Sequence, residues 1–502
     1  MDKKLEFRRQ FLLTIAPITP LDDWACLQID QYYLYTHPDL DVNIEADPKK
    51  SIVLIGNIYD SAEPQKENAE ILSDIIASAH SIECFISYIK RYAGRYALIY
   101  KGTKETIIFP DALALRELYY CTGDNKIVCG SQPNLVAKFS NPKILPRSDP
   151  DFLEFYTNHM KDSRWNPIYK WIGDTTYYEG IKHLLPNHCL DINRREAHRF
   201  WPNEPIKRVD LDEAVSKSCK FLQGNMEAMV HRHSVMMAVT AGTDTRTLLA
   251  ASKDIHHKIY YFVNDHDLHY RPDVSVPKEM FESIGVPFNV HYISNDVDER
   301  FRQIFLNNSF FATDRIMSTI YNVYYKKLGD KINIIGIGEI GRTRFGKEPK
   351  NLNGYRLAYK IGHKDDRYAI QECEQILAEM IPSYRKFGIN VLTGFYWEQM
   401  LGNWGVTGNS ESDIAIEEVN PFNSHMLYEI FLGAEDKYTK YAKSILFREM
   451  IGNMWPELIN WPINPPYNLR SKIQNYLKKT GVFEWLKEFK YQINFISYSL
   501  KR

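Results

Sequence analysis

Short apolar runs separated by turns make up the first 145 residues of this 502-residue chain. Runs of strand length lie at residues 11–16, 51–56, 94–100, 106–109 and 126–130. A turn at Gly102 joins two of them into a predicted hairpin, and residues 67–92 have the apolar spacing of a helix. Strands grouped around a helix predict an α+β domain over residues 1–148.

The pattern changes in the second part of the chain. Apolar runs at residues 235–239, 259–263, 289–293 and 332–335 alternate with helical segments. Such alternation predicts a doubly wound parallel sheet, in an α/β domain over residues 207–502 that becomes largely helical after residue 368. Residues 149–206, between the two domains, are predicted to be a linker.

The turn after the first parallel strand consists of small and hydroxyl residues. It contains Thr240, Ala241, Gly242, Thr243, Asp244 and Thr245. The N–H groups at the start of the following helix and the helix dipole favour an anion here, and small residues let a phosphate approach the backbone. Asp244 is then explained by a metal ion that bridges to the phosphates. The alternative is an ordinary strand-to-helix turn in which Asp244 caps the helix.

Residues 240–245 resemble the pyrophosphate loop, Ser-Gly-Gly-x-Asp-Ser, of the asparagine synthetase and ATP-pyrophosphatase families. The second glycine and the aspartate are retained, whereas both serines are threonine and the first glycine is alanine. The resemblance implies that this loop holds the β- and γ-phosphates of ATP, with Mg²⁺ on Asp244, while a substrate carboxylate attacks the α-phosphate. It also nominates Val263 and Asn264, at the end of the second strand, for contact with adenine or ribose. The alternative for Asn264 is a solvated polar loop.

The first domain resembles the glutamine-amidotransferase half of asparagine synthetase, which is an αββα sandwich. The resemblance rests on the strand at 94–100, on residues 111–120 and on a strand that ends at Ser131. The glutaminase of that family uses an N-terminal cysteine whose own α-amine acts as the base. Here Asp2 follows Met1, and the first cysteine is Cys26, inside a predicted strand region. We therefore expect that this domain does not hydrolyse glutamine.

The residues after the fourth parallel strand resemble the second phosphate loop of the family, Ser-Gly-Glu-Gly-x-Asp-Glu-x-Phe-Gly. When the two are aligned on the final Phe-Gly pair, Gly338 and Glu339 are retained, and the Asp-Glu pair becomes Arg342 and Thr343, followed by Arg344. Guanidinium groups bind polyphosphates through forked contacts. Either the phosphate site has been rebuilt around Arg342 and Arg344, which would neutralise the developing charge, or ATP binding has been lost.

A third resemblance concerns residues 417–422, which match the family segment Glu-x-Arg-x-Pro-Phe in part. Alignment on Pro421 and Phe422 assigns to Glu417 the glutamate that takes part in acyl transfer, where it would position or deprotonate the amine. The family arginine is Val419 here, and the family lysine that stabilises pyrophosphate is absent. The alternative is that Glu417 and Glu418 form an ordinary exposed acidic pair.

Composition limits the partners. Lys and Arg (62) nearly balance Asp and Glu (63), so the net charge of -1 gives no electrostatic case for nucleic acid or an acidic membrane. The seven cysteines are scattered without a Cys-x-x-Cys pair, which is typical of a reducing compartment. The apolar run at 11–16 is too short for a signal peptide or a membrane span. We expect a cytoplasmic protein without nucleic-acid or membrane partners. The sequence does not decide whether it forms a homodimer.

Taken together, the resemblance implies a carbon–nitrogen ligase that depends on ATP and Mg²⁺ and forms AMP. It would adenylate the carboxylate of a small molecule or peptide and transfer it to an amine that does not come from glutamine. The competing hypothesis is a non-catalytic binding or scaffold protein that keeps this fold. The lost Asp-Glu pair and the lost lysine favour that second hypothesis.

Overall fold

The computed structural model describes residues 4–19, 23–123, 127–140, 144–160, 171–266, 271–309, 314–342, 345–440, 443–466, 468, 473, 476–477 and 482–500. Within these residues the strands form two antiparallel sheets of six strands each and one parallel sheet of five. The antiparallel sheets come first in the chain. This order agrees with the predicted α+β domain followed by an α/β domain.

The two antiparallel sheets stack face to face. Their strands are β1 (Phe11–Thr14), β2 (Ala25–Ile29), β3 (Tyr32–Thr36), β4 (Val42–Ala46), β5 (Ser51–Tyr59), β6 (Ala93–Lys101), β7 (Thr106–Pro110), β8 (Tyr119–Cys121), β9 (Val128–Gly130), β10 (Ile181–His183), β11 (His188–Asp191) and β12 (Glu196–Arg199). The strand orders are β10-β8-β9-β1-β3-β2 and β12-β11-β7-β6-β5-β4. Phe11 and Leu34 from the first sheet share one buried cluster with Val53 and Ile99 from the second, so the sandwich core lies between the sheets.

Helices cover both outer faces of the sandwich. The helices α1 (Asn68–Ser78) and α2 (Ile82–Ile89) pack on the second sheet, and α3 (Pro133–Phe139) packs on the first. The single helix predicted over 67–92 is two helices because Ser81 starts a new one, its hydroxyl accepting the N–H of Cys84.

The segment predicted as a linker contributes strands to the sandwich. β10 pairs with β8 in the first sheet, while β11 pairs with β7 and β12 in the second. Residues 181–199 therefore extend the first domain. Their strands have only three or four residues each, too few for a clear alternation of apolar and polar positions.

The parallel sheet is built around its first strand. Its strands are β13 (Val235–Ala238), β14 (Ile259–Asp265), β15 (Asn289–Tyr292), β16 (Ile332–Ile334) and β17 (Glu418–Val419). Their order is β15-β14-β13-β16-β17. The chain moves outward from β13 to β15 and then returns to the other side, so the strand order reverses between β13 and β16. Ligands of open α/β sheets bind where this reversal occurs, beyond the carboxyl ends of the strands.

The remaining helices flank the parallel sheet or extend from it. They are α4 (Pro150–Phe155), α5 (Leu211–Arg232), α6 (Thr243–Ala251), α7 (Pro272–Ile284), α8 (Glu299–Asn308), α9 (Asp314–Thr319), α10 (Gly354–Lys360), α11 (Arg367–Lys386), α12 (Val391–Phe395), α13 (Val406–Ser412), α14 (His425–Gly433), α15 (Asp436–Thr439), α16 (Ile445–Met454) and α17 (Val482–Leu500). Met236 and Phe262 share a core cluster with Phe301 of α8, whereas Met237 shares another with Leu248 of α6. Helices therefore lie on both faces of the sheet.

The residues before β1 join the two domains. The Phe7 N–H donates to Asn308 Oδ1 at 2.8 Å, and Arg9 Nη1 donates to the Asp413 carbonyl at 2.7 Å. Arg8 Nη1 donates to the carbonyls of Ile414 and Ala415. Residues 7–9 therefore attach the amino edge of the parallel sheet to the sandwich.

Candidate functional site

Two loops meet at the carboxyl edge of the parallel sheet. One runs from β13 into α6, and the other follows β16 and forms a 3-10 turn at Glu339–Gly341. A Cβ on Gly338 would lie 3.0 Å from Asp244 Oδ1, and one on Gly336 would lie 3.2 Å from Asp244 Cβ. The absence of a side chain at both glycines lets the second loop approach the first. The structure thus brings together the two segments predicted to bind phosphate.

The first loop is closed by its own hydrogen bonds. The Thr240 N–H donates to Thr245 Oγ1 at 3.2 Å, and the Gly242 N–H donates to Thr240 Oγ1 at 3.1 Å. The Ala241 N–H donates to Asp273 Oδ1, in α7, at 3.1 Å. Burial raises the pKa of Asp273 more than this hydrogen bond lowers it. A carboxylate of the protein therefore takes the place that the sequence predicts for a bound anion.

Arg342 lies between two carboxylates in this structure. Its Nη2 donates to Asp244 Oδ2 and lies 3.7 Å from Glu339 Oε1, and Glu339 also accepts the hydroxyl hydrogen of Tyr396. The side chain of Arg342 is 4% exposed and that of Asp244 is 15% exposed. The sequence predicts Asp244 on a metal ion and Arg342 on a phosphate, but in this structure each is the partner of the other. Arg344, the second predicted arginine, lies outside the described residues.

A buried arginine that sequence analysis missed anchors a segment over the loop. Arg246 Nη1 donates to the carbonyls of Leu458 and Trp461, and Nη2 donates to that of Pro462. Burial lowers the pKa of Arg246 to about 10. Asn464 follows this segment, and its N–H donates to the Ala241 carbonyl at 2.9 Å. The sequence could have indicated this role of Arg246, because it is a charged residue on the apolar face of the predicted helix.

The residues nominated for adenine or ribose lie inside β14 rather than in a loop. Val263 is paired with Val290 and Asn264 with His291 of β15. Because neighbouring strand residues point to opposite faces, Val263 and Asn264 cannot line the same site with their side chains. The side-chain oxygen of Asn264 is buried and has no hydrogen-bond partner within the described chain. Asn264 and Asp265, which the alternative places in a solvated loop, therefore belong to β14.

Glu417 lies at the opposite edge of the sheet from the two loops. Its carbonyl accepts the Asn333 N–H at the start of β16, because β17 runs parallel to β16 and Glu417 precedes it. The amino edge is separated from the loops by the length of β13, which is about 13 Å. The structure does not bring Glu417 to the predicted phosphate site, which corrects its predicted placement beside the reacting amine.

The carboxylate of Glu417 belongs to a buried ionic network. It accepts a hydrogen bond from Arg116 Nη2 and lies 3.7 Å from Arg95 Nη1, and Arg95 holds both oxygens of Asp413 at 2.6 and 2.7 Å. Burial alone would raise the pKa of Glu417, but Arg116 and Arg95 outweigh it and hold that pKa below its usual value. Beside this network, burial raises the pKa of Glu418 to about 7. The alternative of an exposed acidic pair is also wrong, since both glutamates are buried.

Three further observations concern only the residues that the structure describes. No group of three or more His, Cys, Asp or Glu side chains there has the geometry of a metal site. Within the same ranges, none of the helices is both long and apolar enough to cross a bilayer. A cleft of about 680 Å³ lies near β10–β12 and α11, and none of the predicted site residues lines it.

Comparison with known proteins gives little further support. No family model matches the chain, and no curated protein matches it. Glutamine phosphoribosylpyrophosphate amidotransferase from B. subtilis, complexed with ADP and GMP, is similar to it at 10% identity over 60% of this chain and 88% of that chain, with a TM-score of 0.25. A structure of the allosteric regulatory enzyme of purine biosynthesis is similar at 11% identity, over 60% and 73%, with a TM-score of 0.24. At such TM-scores these similarities carry no argument, so membership of the asparagine synthetase family stays a prediction.

Proposed function

We propose that the protein is an ATP-dependent ligase that forms AMP by adenylating a carboxylate and passing it to an amine. One observation carries the proposal. The loop at 240–245 and the loop that contains Arg342 meet at the start of α6, where the strand order of the parallel sheet reverses. This is the position where open α/β sheets bind nucleotides.

The first loop and the start of α6 would bind the phosphates of ATP. Thr240, Thr243 and Thr245 supply hydroxyl groups, and the helix dipole favours negative charge there. A phosphate oxygen would take the Ala241 N–H from Asp273, whose carboxylate makes that hydrogen bond in this structure. Exchange of one anion for another keeps the N–H group satisfied.

Asp244 and Glu339 are the residues that would hold Mg²⁺. They fit this role because both carboxylates lie around one cation, the guanidinium of Arg342, and magnesium in nucleotide sites is usually held by one or two carboxylates together with phosphates. The metal would supply charge neutralisation on the phosphates. Arg342, released from the two carboxylates, would bind a phosphate oxygen and stabilise the departing pyrophosphate.

The buried side-chain oxygen of Asn264 would accept a hydrogen bond from the adenine amine or a ribose hydroxyl, which would satisfy an atom that has no partner in the described chain. Glu417 has no part in this proposal, because Arg116 and Arg95 hold it at the other edge. The amine would come from the substrate, a small molecule or a peptide. The cysteine nearest the start of the chain, Cys26, lies exposed in the edge strand β2 rather than at a chain terminus.

Product analysis tests the proposal. The protein would be incubated with ATP, Mg²⁺, mixtures of amino acids and peptides, and hydroxylamine, which traps acyl adenylates as hydroxamates. We expect AMP, pyrophosphate and a hydroxamate, and Asp244→Asn should abolish their formation without unfolding the protein. Formation of ADP, or full activity of Asp244→Asn, would refute the assignment.

A second function, non-catalytic binding, is favoured by a different observation. Three N–H groups of the first loop have acceptors within the protein, and Asp244 already has Arg342 as its partner. A loop satisfied in this way is stable without ATP. Thermal unfolding separates the two functions, since ATP at 100 times its dissociation constant would add about 2.7 kcal/mol to stability, whereas a scaffold protein would show no shift.

A further inference from the structure

A cleft of about 680 Å³ separates helix α11 from the short strands β10–β12. One side of α11 forms its first wall, because the residues of this helix that line the cleft recur at helical spacing. They are Glu372, Gln375, Ile376, Glu379 and Ser383. The opposite wall includes Lys182, Ala197 and Arg199. Pockets of about 300–1,000 Å³ hold small organic ligands, so the cleft has the size of a binding site.

The carboxylate of Glu372 is half-buried in the first wall and has neither a hydrogen bond nor an ion pair within the described chain. Burial raises the pKa of Glu372 to about 7, because no hydrogen bond to the carboxylate opposes this effect. Two other acids of the cleft are different. Asp174 lies 2.9 Å from Lys182 Nζ. Glu379 lies 2.8 Å from Arg199 Nη2. Glu372 is therefore a carboxylate that can accept a ligand without breaking a contact.

The cations around Glu372 have other acids as partners. Arg147 and Lys182 both lower the pKa of Glu372, but neither lies within ion-pair distance of it. Arg147 Nε lies 3.2 Å from Asp149 Oδ2, and Lys182 is the partner of Asp174. Two basic groups thus face three acidic ones, which leaves a local net charge of -1. One added cation would balance the charge of this half-buried group.

An aliphatic side chain lies beside this carboxylate. Ile376 follows Glu372 by four residues on α11, which places both on the same side of the helix. Gly173 faces both of them, since a Cβ on it would lie 3.6 Å from Ile376 Cδ1 and 4.0 Å from Glu372 Oε2. The absence of a side chain at Gly173 leaves room beside them. A carboxylate next to an aliphatic surface is complementary to a positive charge on an aliphatic chain.

We propose that this cleft binds a primary amine on an aliphatic chain, with the ammonium group on Glu372 and the methylene groups against Ile376. An alkylammonium group brings one positive charge and three N–H donors, and its hydrogen bonds to a carboxylate are among the strong ones. Free diamines and the lysine side chain of a peptide share this chemistry. A metal ion is the poorer occupant, because the described part of the chain has no group of three or more His, Cys, Asp or Glu side chains that could hold one.

Calorimetric titration of the full-length protein at pH 8, without ATP, tests the proposal. The probes are 1,5-diaminopentane and Nα-acetyl-lysine methylamide, and the neutral control is the lysine derivative acetylated on both nitrogens. We expect saturable binding of at least one amine and none of the neutral control. The amine that binds more tightly identifies the source as a free amine or a peptide. Glu372→Gln should weaken binding about tenfold. The matched control Glu299→Gln, which replaces a side chain that is 72% exposed on α8, should bind as wild type does.

The pH dependence of binding provides a second readout. Because the amine binds the ionised carboxylate and the pKa of Glu372 is about 7, the affinity of wild type should fall about tenfold from pH 8 to pH 6. The affinity of Glu372→Gln should not show this fall. His188, which lies 2.9 Å from Glu379 in the same cleft, is present in both proteins and would affect both alike.

Three results would each overturn the proposal. They are no binding of either amine, equal binding of the neutral control, and an affinity of Glu372→Gln equal to that of wild type at pH 8. Thermal unfolding of Glu372→Gln checks that the variant is folded. Since none of these measurements involves ATP, the result is independent of the proposed ligase activity.

Discussion

At the carboxyl edge of the parallel sheet, Arg342 bridges Asp244 and Glu339; at the amino edge, Arg95 and Arg116 hold Asp413 and Glu417. The two edges use the same residue types and differ in their surroundings. The carboxylates Asp244 and Glu339 are 15 and 11% exposed, whereas Asp413 and Glu417 are 4 and 8% exposed. Arg342 is 4% exposed, and Arg95 and Arg116 are 1% exposed. The largest difference is at Asp244, which water reaches more readily than it reaches Asp413.

We infer from this difference that Asp244 exchanges its partner more readily than Asp413 does. A buried ion pair that loses one member leaves an uncompensated charge at low dielectric, which is costly. A pair at a partly exposed loop can replace its partner by water, a metal or a phosphate. We infer that the amino edge stabilises the contact between the two domains and that the carboxyl edge is the candidate for chemistry.

The largest expected effect is on folding, at the amino edge. Arg116→Met should lower the free energy of unfolding by about 3–5 kcal/mol, because Glu417 would stay buried without its main partner. The matched variant Arg342→Met should cost clearly less, because Asp244 and Glu339 can draw on water. Urea denaturation of both proteins measures the difference. Equal losses would remove the distinction between the two edges.

The next effect concerns turnover at the carboxyl edge. If Arg342 stabilises departing pyrophosphate, Arg342→Ala should slow pyrophosphate release about 100- to 1000-fold, with little change in ATP affinity. Arg385→Ala, which removes an exposed arginine paired with Glu348, serves as the control and should act as wild type. Loss of affinity alone would make Arg342 an anchor for ATP, and unchanged release would leave it a structural residue.

A third prediction uses the pH dependence of stability at the amino edge. Burial raises the pKa of Glu418 from 4.5 to about 7, so the folded protein keeps this proton when the unfolded chain has lost it. The stability from Glu418 is complete below pH 4.5 and is lost as the pH rises to 7, by roughly 3 kcal/mol. The gain in stability of Glu418→Gln over wild type should therefore be larger at pH 8 than at pH 5.

Urea denaturation at the two pH values tests this prediction, with the exposed Glu457→Gln as control. Glutamine can be accommodated because Asn333 and Asn409, which donate to Glu418, both have buried side-chain oxygens without a hydrogen bond in the described chain. Rotation of either amide would present an acceptor to the new N–H group. The same difference between Glu418→Gln and wild type at both pH values would contradict the assigned pKa.

The smallest expected effect is on ATP affinity. Asp273 places a carboxylate on the loop where phosphate is proposed to bind, so Asp273→Asn should raise the affinity for ATP about two- to fivefold. Because burial raises the pKa of Asp273, the affinity of wild type should approach that of the variant as the pH falls. Calorimetric titrations at two pH values measure both effects. Weaker binding by the variant would place the phosphates elsewhere.

The sequence predicted those parts of the site that depend on local order. The run at 235–239 and the small residues at 240–245 gave the strand, the loop and the start of α6, and the four long runs gave four of the five parallel strands. Within the sandwich, the apolar runs predicted β1, β5, β6, β7 and β9, whereas β4 and β10–β12 were not predicted. Pattern reasoning works here because each of these elements is longer than one period of its own repeat.

Contacts between distant residues could not be predicted. Asp273 reaches Ala241 across 32 residues, and Arg116 reaches Glu417 across 301. The strand β17 has two residues, which is too short to show any periodicity, so nothing in the sequence indicated which edge of the sheet Glu417 would occupy. The pairing of Asp244 with Arg342 likewise depends on two glycines that let separate loops touch.

Calorimetric titration of ATP with Mg²⁺ into wild type and Gly242→Val tests directly whether ATP binds at the loop of residues 240–245. Gly242 has a φ of -73°, which valine can adopt, and its Cβ would lie 3.1 Å from Thr240 Oγ1, so the new side chain would crowd the loop and its approach. Gly123→Val, where nothing lies within 4 Å of an added Cβ, is the matched control. We expect saturable binding to wild type and to the control, and binding about tenfold weaker to Gly242→Val. No binding to wild type, or equal affinity for all three proteins, would contradict ATP binding at this loop.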